Sequence, residues 1–88
     1  MNSFYTTAEI ESWLTSYLAN LLDIPEEEVD PMANFDEYGL DSALAIGLSG
    51  DLEEWLGRKI NPTIVYNYTT INSLSHNLSE EIANTPID

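Results

Sequence analysis

Cysteine is absent from the sequence, which excludes a disulfide framework and any metal site built on thiolates. The absence fits a reducing compartment, and we expect a cytoplasmic protein. Basic residues are scarce too: 16 acidic residues stand against only Arg58 and Lys59, which gives a formal net charge of −14. Such a charge repels nucleic acids and anionic membranes and favours basic patches on other proteins. We therefore expect protein partners, with no nucleic acid and no membrane, unless the acidity only keeps the chain soluble.

Long apolar runs are also missing. No stretch approaches the roughly 20 apolar residues that cross a bilayer, and the N-terminus lacks the pattern of a signal peptide. The 88 residues have the size of one domain, and 43% apolar residues suffice for a core. We expect a single, monomeric domain over 1–88, with its core at about 7–82 and frayed ends, including the residues after Ala83. A start at Met1 and an end soon after the last predicted helix suit a freestanding protein.

Candidate catalytic groups are few. The single histidine, His76, lies in a polar stretch of the last predicted helix, where a surface side chain is the simpler interpretation. Neither Ser42 nor Ser49 lies in the G-x-S-x-G arrangement of a nucleophile elbow. The segment from Asp30 to Asp36 lacks the ligand at the third position and the glycine at the sixth that an EF-hand needs. We therefore predict no enzyme, no catalytic residue and no metal site.

Helical periodicity accounts for the two longest predicted elements. Thr6 and Glu9 have the spacing of a capping box, and the apolar residues after them repeat on one face, which predicts a helix over 7–22. A second helix is predicted to begin at Asp41 or Ser42, either of which is a good N-cap, and to end at Gly57. The buried stripe predicted for this helix comprises Leu44, Leu48, Leu52, Trp55 and Leu56.

The remaining elements are shorter or follow a long loop. Residues 23–41 form that loop, in which only Pro25 and the three glutamates after it look like a helical turn. Residues 62–66 fit one short turn, and Thr69 or Thr70 can cap a last helix. The buried face of the last helix is predicted to comprise Ile71, Leu74, Leu78 and Ile82. We predict an all-α protein, a small four-helix bundle with three longer helices, one short helix and a long loop between helices one and two.

The most informative segment is EYGLDS at 37–42, a turn that presents the Ser42 hydroxyl at the mouth of a helix. Unpaired backbone N–H groups and a partial positive charge at a helix N-terminus suit an attached phosphodiester. A serine that is presented to a separate enzyme needs no base of its own, which agrees with the missing catalytic histidine. From physical chemistry alone, the simpler interpretation is that Ser42 is only an N-cap.

Two segments resemble the acyl carrier protein family. YGLDS at 38–42 is similar to the G-x-D-S attachment motif in the form common in polyketide synthases. PTIVYNYTTI at 62–71 is similar to the polyketide-type segment P-x-T-x-V-F-x-Y-P-T. Two matched segments at the right separation are specific, and the resemblance covers about residues 8–82. It implies the four-helix fold of acyl-carrier type.

The resemblance implies a covalent cofactor at Ser42, with Gly39, Leu40 and Asp41 completing the attachment site. This cofactor is 4′-phosphopantetheine, which a phosphopantetheinyl transferase donates from coenzyme A. Its thiol carries acyl intermediates as thioesters for polyketide or specialised fatty-acid synthesis. The implied partners are this transferase and a ketosynthase, an acyltransferase or an acyl-adenylate ligase, which would dock through basic patches.

The second helix departs from the family pattern at two positions. Ala43 stands where leucine is usual, and Gly47 stands where glutamate is usual. The spacing of Ala43, Ile46, Gly47 and Gly50 places them on one helical face, away from the leucine stripe. We call this set the small-residue strip and predict that partners dock on it and approach the backbone closely. The alternative is drift on an exposed helix.

Two other functions stay open on the sequence alone. One is an unmodified acidic helical adaptor, which kept a carrier fold but binds partners only through its surface. The other is a carrier that works with a peptide synthetase or an acyl-adenylate ligase. The tyrosine-rich segment at 62–71 favours the polyketide type.

Overall fold

The computed structural model describes residues 5–84, which form four α-helices and no β-strand. The helices are α1 (Thr7–Leu22), α2 (Ser42–Leu56), α3 (Ile64–Asn67) and α4 (Ile71–Asn84). Two 3₁₀ turns, Glu26–Glu28 and Phe35–Tyr38, lie in the loop between α1 and α2. The all-α prediction is confirmed. No helix within 5–84 is long and apolar enough to cross a membrane. The fraying predicted beyond Ala83 falls largely outside the described residues.

Capping interactions hold both ends of α1, whose bounds agree with the predicted helix over 7–22. The Thr6 hydroxyl accepts a hydrogen bond from the Glu9 N–H at 3.1 Å, and the Glu9 carboxylate accepts one from the Thr6 N–H at 3.0 Å. At the other end, Asp23 adopts the left-handed conformation at φ 59°, and its N–H donates to the Ala19 carbonyl. These bonds satisfy backbone groups that have no partner inside the helix.

The core is one contiguous apolar cluster to which all four helices contribute. Its fully buried aliphatic side chains are Ile10, Leu14, Leu18, Leu48, Leu52, Ile71, Leu74 and Leu78. Full burial of each such side chain stabilises the fold by about 1.5–3 kcal/mol. α1 packs against α4, and the hydroxyls of Thr7 and Ser79 lie 2.6 Å apart across this contact. The predicted buried face of α4 is confirmed.

The buried face of α2 differs from the prediction at one position. Leu48, Leu52 and Leu56 are buried and Trp55 is half-buried, but Leu44 is 36% exposed. At about 100° per residue, Leu44 lies about 80° from Leu52 around the helix axis, at the margin of the stripe. The buried side chains that flank Leu48 are instead Ala45 and Ser49.

The loop between α1 and α2 is hydrogen-bonded to the segment before α4 and to the first turn of α4. The Phe35 N–H donates to the Thr69 carbonyl at 2.8 Å, and the Thr69 hydroxyl donates to the Asn34 side-chain oxygen at 2.7 Å. The Asn72 N–H donates to the Pro31 carbonyl at 2.9 Å. Phe35 itself is buried in the core. These contacts give a long irregular segment a defined path to the start of α2.

Candidate functional site

A 3₁₀ turn and a glycine carry the chain from the loop into α2. The 3₁₀ turn Phe35–Tyr38 is closed by a capping box in which the Glu37 carboxylate accepts from the Asn34 N–H at 3.3 Å. This turn was not predicted from the sequence, although the N-x-x-E spacing at 34–37 resembles the capping pattern. Gly39 follows at φ 79°, and nothing lies within 4 Å of where its Cβ would be. Backbone conformation, and not crowding, therefore accounts for glycine here.

Two side chains hold this turn in place. The Tyr38 hydroxyl accepts from the Asp30 N–H at 2.6 Å and donates to the Asp30 carbonyl at 3.0 Å. Leu40 is half-buried and packs against the core cluster. The residues that precede α2 are thus anchored on both sides of Gly39, which limits where the start of the helix can lie.

Asp41, and not Ser42, is the N-cap of α2. The Asp41 carboxylate accepts a hydrogen bond from the Leu44 N–H at 3.0 Å, and its backbone is extended at φ −91° and ψ −176°. Ser42 is the first helical residue, and its side chain is exposed. The interpretation of Ser42 as only an N-cap is therefore wrong. Within the described residues, its hydroxyl has no hydrogen-bond partner.

The start of α2 is suited to an attached anionic group. A helix N-terminus has four backbone N–H groups without intrahelical partners, and the Asp41 carboxylate satisfies that of Leu44. The other groups, and the positive end of the helix dipole, face the same end as Ser42. A phosphodiester on the Ser42 oxygen would lie beside these donors. The residues present therefore fit a covalently attached phosphate.

An apolar cleft of about 460 Å³ lies beside this serine. The cleft lies between the loop, the start of α2 and α3. Its apolar lining is Phe35, Leu40, Ala45, Val65 and Tyr66. Leu40 and Ala45 are two and three residues from Ser42 along the chain, so the cleft is lined by residues on both sides of this serine in the sequence. An exposed hydroxyl and an apolar recess therefore lie at the same end of α2.

The small-residue strip lies on the exposed face of α2. Ala43, Gly47 and Gly50 are exposed, and Ile46 is 57% exposed. A Cβ added at Gly47 or Gly50 would meet no atom within 4 Å, so packing inside the protein does not require these glycines. Ile46 and Gly50 also border an open depression of about 610 Å³, next to Lys59.

The other polar side chains considered from the sequence do not converge on this site. His76 is exposed on α4, as the sequence predicts, and Ser49 is buried, with its hydroxyl donating to the Ile46 carbonyl at 2.8 Å. Across residues 5–84, no three histidine or carboxylate side chains are grouped so that they could hold a metal ion.

Comparisons with known proteins agree on one family. Residues 12–78 match the family model described as the phosphopantetheine attachment site. The acyl carrier protein TtuC of Teredinibacter turnerae is 36% identical over 70 residues, which are 80% of each chain. A phenolphthiocerol/phthiocerol polyketide synthase chain from Mycobacterium tuberculosis is 37% identical over 68 residues. Those residues are 77% of this chain but only 4% of the synthase chain.

Solved structures agree with the sequence matches. The crystal structure of a free-standing peptidyl carrier protein from Acinetobacter baumannii superposes with a TM-score of 0.82 at 34% sequence identity. The superposition covers 88% of this chain and 96% of that one.

Proposed function

The chain belongs to the phosphopantetheine attachment family and is a carrier protein, and we propose that Ser42 is the residue that bears its 4′-phosphopantetheine. One observation carries the assignment: Asp41 caps α2, which leaves the Ser42 hydroxyl exposed and unengaged at the helix N-terminus. Gly39 and Leu40 set the position of that terminus, the first through its left-handed backbone and the second through its packing on the core.

In this function, the protein presents the arm to partner enzymes. The family's arm supplies a thiol that holds acyl groups as thioesters. Ser42 offers the oxygen to which the arm is joined, and the first turn of α2 stabilises the resulting negative charge. The carrier domains of this family are not catalytic themselves, and we extend this to the present chain, whose single histidine lies on α4.

The assignment is tested by mass spectrometry of the intact protein. Apo protein is incubated with coenzyme A, magnesium and a broad-specificity phosphopantetheinyl transferase, alongside the Ser42→Ala and Ser12→Ala variants. Ser12 is also exposed, so its variant is a matched control for loss of a surface hydroxyl. The expected result is a gain of one arm in the wild type and in Ser12→Ala and none in Ser42→Ala. A gain retained by Ser42→Ala would refute the assignment.

Carrier domains of this family work with polyketide synthase enzymes. For this chain, the proposed partners are a phosphopantetheinyl transferase and a ketosynthase, an acyltransferase or an acyl-adenylate ligase, each with a basic docking patch. The net charge of −14 supports docking on basic patches, because attraction between opposite charges raises association rates. The rate of arm transfer at subsaturating protein should then fall as salt is added. A rate independent of ionic strength would contradict docking on basic patches.

A peptidyl carrier is the second candidate, and the similarity to the Acinetobacter baumannii protein favours it. The two functions differ in which enzymes load the arm. Modified protein is therefore offered to an amino-acid adenylation enzyme and to an acyl-adenylate ligase in parallel. Exclusive loading with amino acids would replace the polyketide or fatty-acid assignment, and exclusive loading with acyl groups would support it.

The small-residue strip is proposed as the docking face for dedicated partners. It is exposed, and the glycines in it have no packing reason inside the protein. A partner that fits this strip should lose affinity when bulk is added. Gly47→Glu and Ala43→Leu are expected to shift acyl transfer from a dedicated enzyme toward a general fatty-acid enzyme. Gly47→Ala is the control, since it raises helix propensity with little added bulk. Unchanged partner preference would refute this role.

A further inference from the structure

Four aromatic rings form a continuous row on the surface shared by α1 and α2. We call Tyr5, Trp13, Tyr17 and Trp55 the aromatic row. Trp13 stacks on Trp55 with ring centres 5.1 Å apart and on Tyr17 at the same distance. The Tyr5 ring lies 4.7 Å from Trp55, and the Tyr5 hydroxyl donates to the Trp55 carbonyl at 3.2 Å. These contacts set how the rings lie against one another, and each ring keeps part of its surface in solvent.

A groove of about 340 Å³ opens along this row. Its lining is Tyr5, Trp13 and Trp55 together with Glu9, Ser12 and Ser16. No lysine or arginine is among the lining residues. The groove is separate from the cleft beside Ser42, with which it shares no lining residue.

Among the described residues, three carboxylates lie in or beside the groove. Glu9 lies in its lining, and the Ser16 hydroxyl donates to the Glu26 carboxylate at 2.8 Å. At the end of the row, the Tyr17 hydroxyl donates to the Asp51 carboxylate at 2.7 Å. Tyr5 and Trp55 also line the groove, and an aromatic face that is not stacked on another ring carries negative electrostatic potential. An aromatic surface bordered by three carboxylates is complementary to a flat organic cation.

We propose that this groove binds the guanidinium group of an arginine side chain on a partner protein. Arginine fits better than lysine, because its planar group stacks on aromatic faces and still donates to a carboxylate such as Glu9. A second copy of this chain is a poor occupant, since it brings the same net charge of −14 and only two cations.

The position of the groove explains why a carrier would use it. Trp55 lies thirteen residues after Ser42 in α2, so the two are separated by about 20 Å along the helix axis. An arginine bound in the groove would hold a partner without covering the attachment end. That role for the partner rests on the proposed carrier function, whereas guanidinium binding by the groove does not.

Tryptophan fluorescence of the full chain tests the binding directly. The chain has two tryptophans, and both belong to the aromatic row. Apo protein is titrated with N-acetyl-arginine amide, and with N-acetyl-citrulline amide as a neutral analogue of nearly the same shape. We expect a saturable change with arginine and an affinity for citrulline lower by about 2–5-fold, the range of an exposed cation–π contact. Equal affinities for the two compounds would overturn the proposal.

Single substitutions test whether the fluorescence change comes from arginine bound in the groove. Glu9→Gln removes a charge but keeps a residue that can close the capping box with Thr6, and it should weaken arginine binding. Glu27→Gln, at an exposed position that does not line the groove, should leave it unchanged. Equal arginine affinity in Glu9→Gln and wild type would place the binding elsewhere and overturn the proposal. Ser42→Ala protein should bind arginine as wild type does, so failure of the modification assay and failure of this one are distinguishable.

Discussion

The Tyr17 hydroxyl donates a 2.7 Å hydrogen bond to the Asp51 carboxylate and thereby joins the middle of α1 to α2. Burial, this hydrogen bond and the negative charge of Asp51 raise the pKa of Tyr17 from 10.0 to about 12. Each of these effects favours the neutral phenol over the phenolate. The bond also fixes the end of the aromatic row, because the same Tyr17 ring stacks on Trp13.

Alkaline titration should reveal the raised pKa of Tyr17. Because the pKa of Tyr17 is raised in the folded state, its contribution to stability is fully present below about pH 10 and is lost as the pH rises through about 12. Ultraviolet absorbance of phenolate should show a late titration step near pH 12, and Asp51→Asn should lower the pKa of that step. Tyr17→Phe should remove the late step. A wild-type curve without a late step would contradict the assignment.

The Asp41 cap should be measurable in the free energy of unfolding. Asp41→Ala removes the acceptor for the Leu44 N–H and should cost about 1 kcal/mol. Asp41→Asn keeps a side-chain oxygen at the cap and should cost much less. Urea unfolding monitored by circular dichroism measures both. Equal losses in the two variants would show that the charge of Asp41, and not its capping bond, stabilises the helix.

Glycine substitutions should act in opposite directions at two positions. Gly47 lies inside α2 with open space around it, so Gly47→Ala should raise the free energy of unfolding by about 0.5–1 kcal/mol. Gly39 has equal space but φ 79°, so Gly39→Ala should lower the free energy of unfolding by about 1 kcal/mol. Denaturant unfolding of both variants checks the signs. A destabilised Gly47→Ala would indicate a contact that the structure lacks.

Truncation of two leucines should distinguish the core of α2 from its margin. Leu48 is fully buried, and Leu48→Ala should cost about 2–5 kcal/mol through lost burial and a cavity. Leu44 is 36% exposed, and Leu44→Ala should cost clearly less. Thermal and urea unfolding give both values. Similar losses of unfolding free energy in the two variants would show that Leu44 is buried like Leu48.

Much of the helical structure was predictable from short-range patterns. The start of α1 and the end of α2 at Gly57 follow from capping residues, and the end of α1 follows from where its apolar repeat stops. Leu44 was wrongly predicted to be buried because its spacing from Leu48 and Leu52 is that of one helical face. Its exposure depends instead on whether another element packs over it, which the spacing does not show. The choice between Asp41 and Ser42 as the cap was open, because both side chains are good acceptors.

The EYGLDS segment and the small-residue strip can be recognised in the sequence, because turn chemistry and helical spacing involve residues only a few positions apart. The aromatic row and the cleft beside Ser42 arise only in the packed fold. Tyr5 and Trp55 are 50 positions apart, and the contact between them depends on how α1 and α2 pack around the core. The hydrophobic effect that drives such packing is non-directional, so composition predicts burial but does not specify which distant side chains meet.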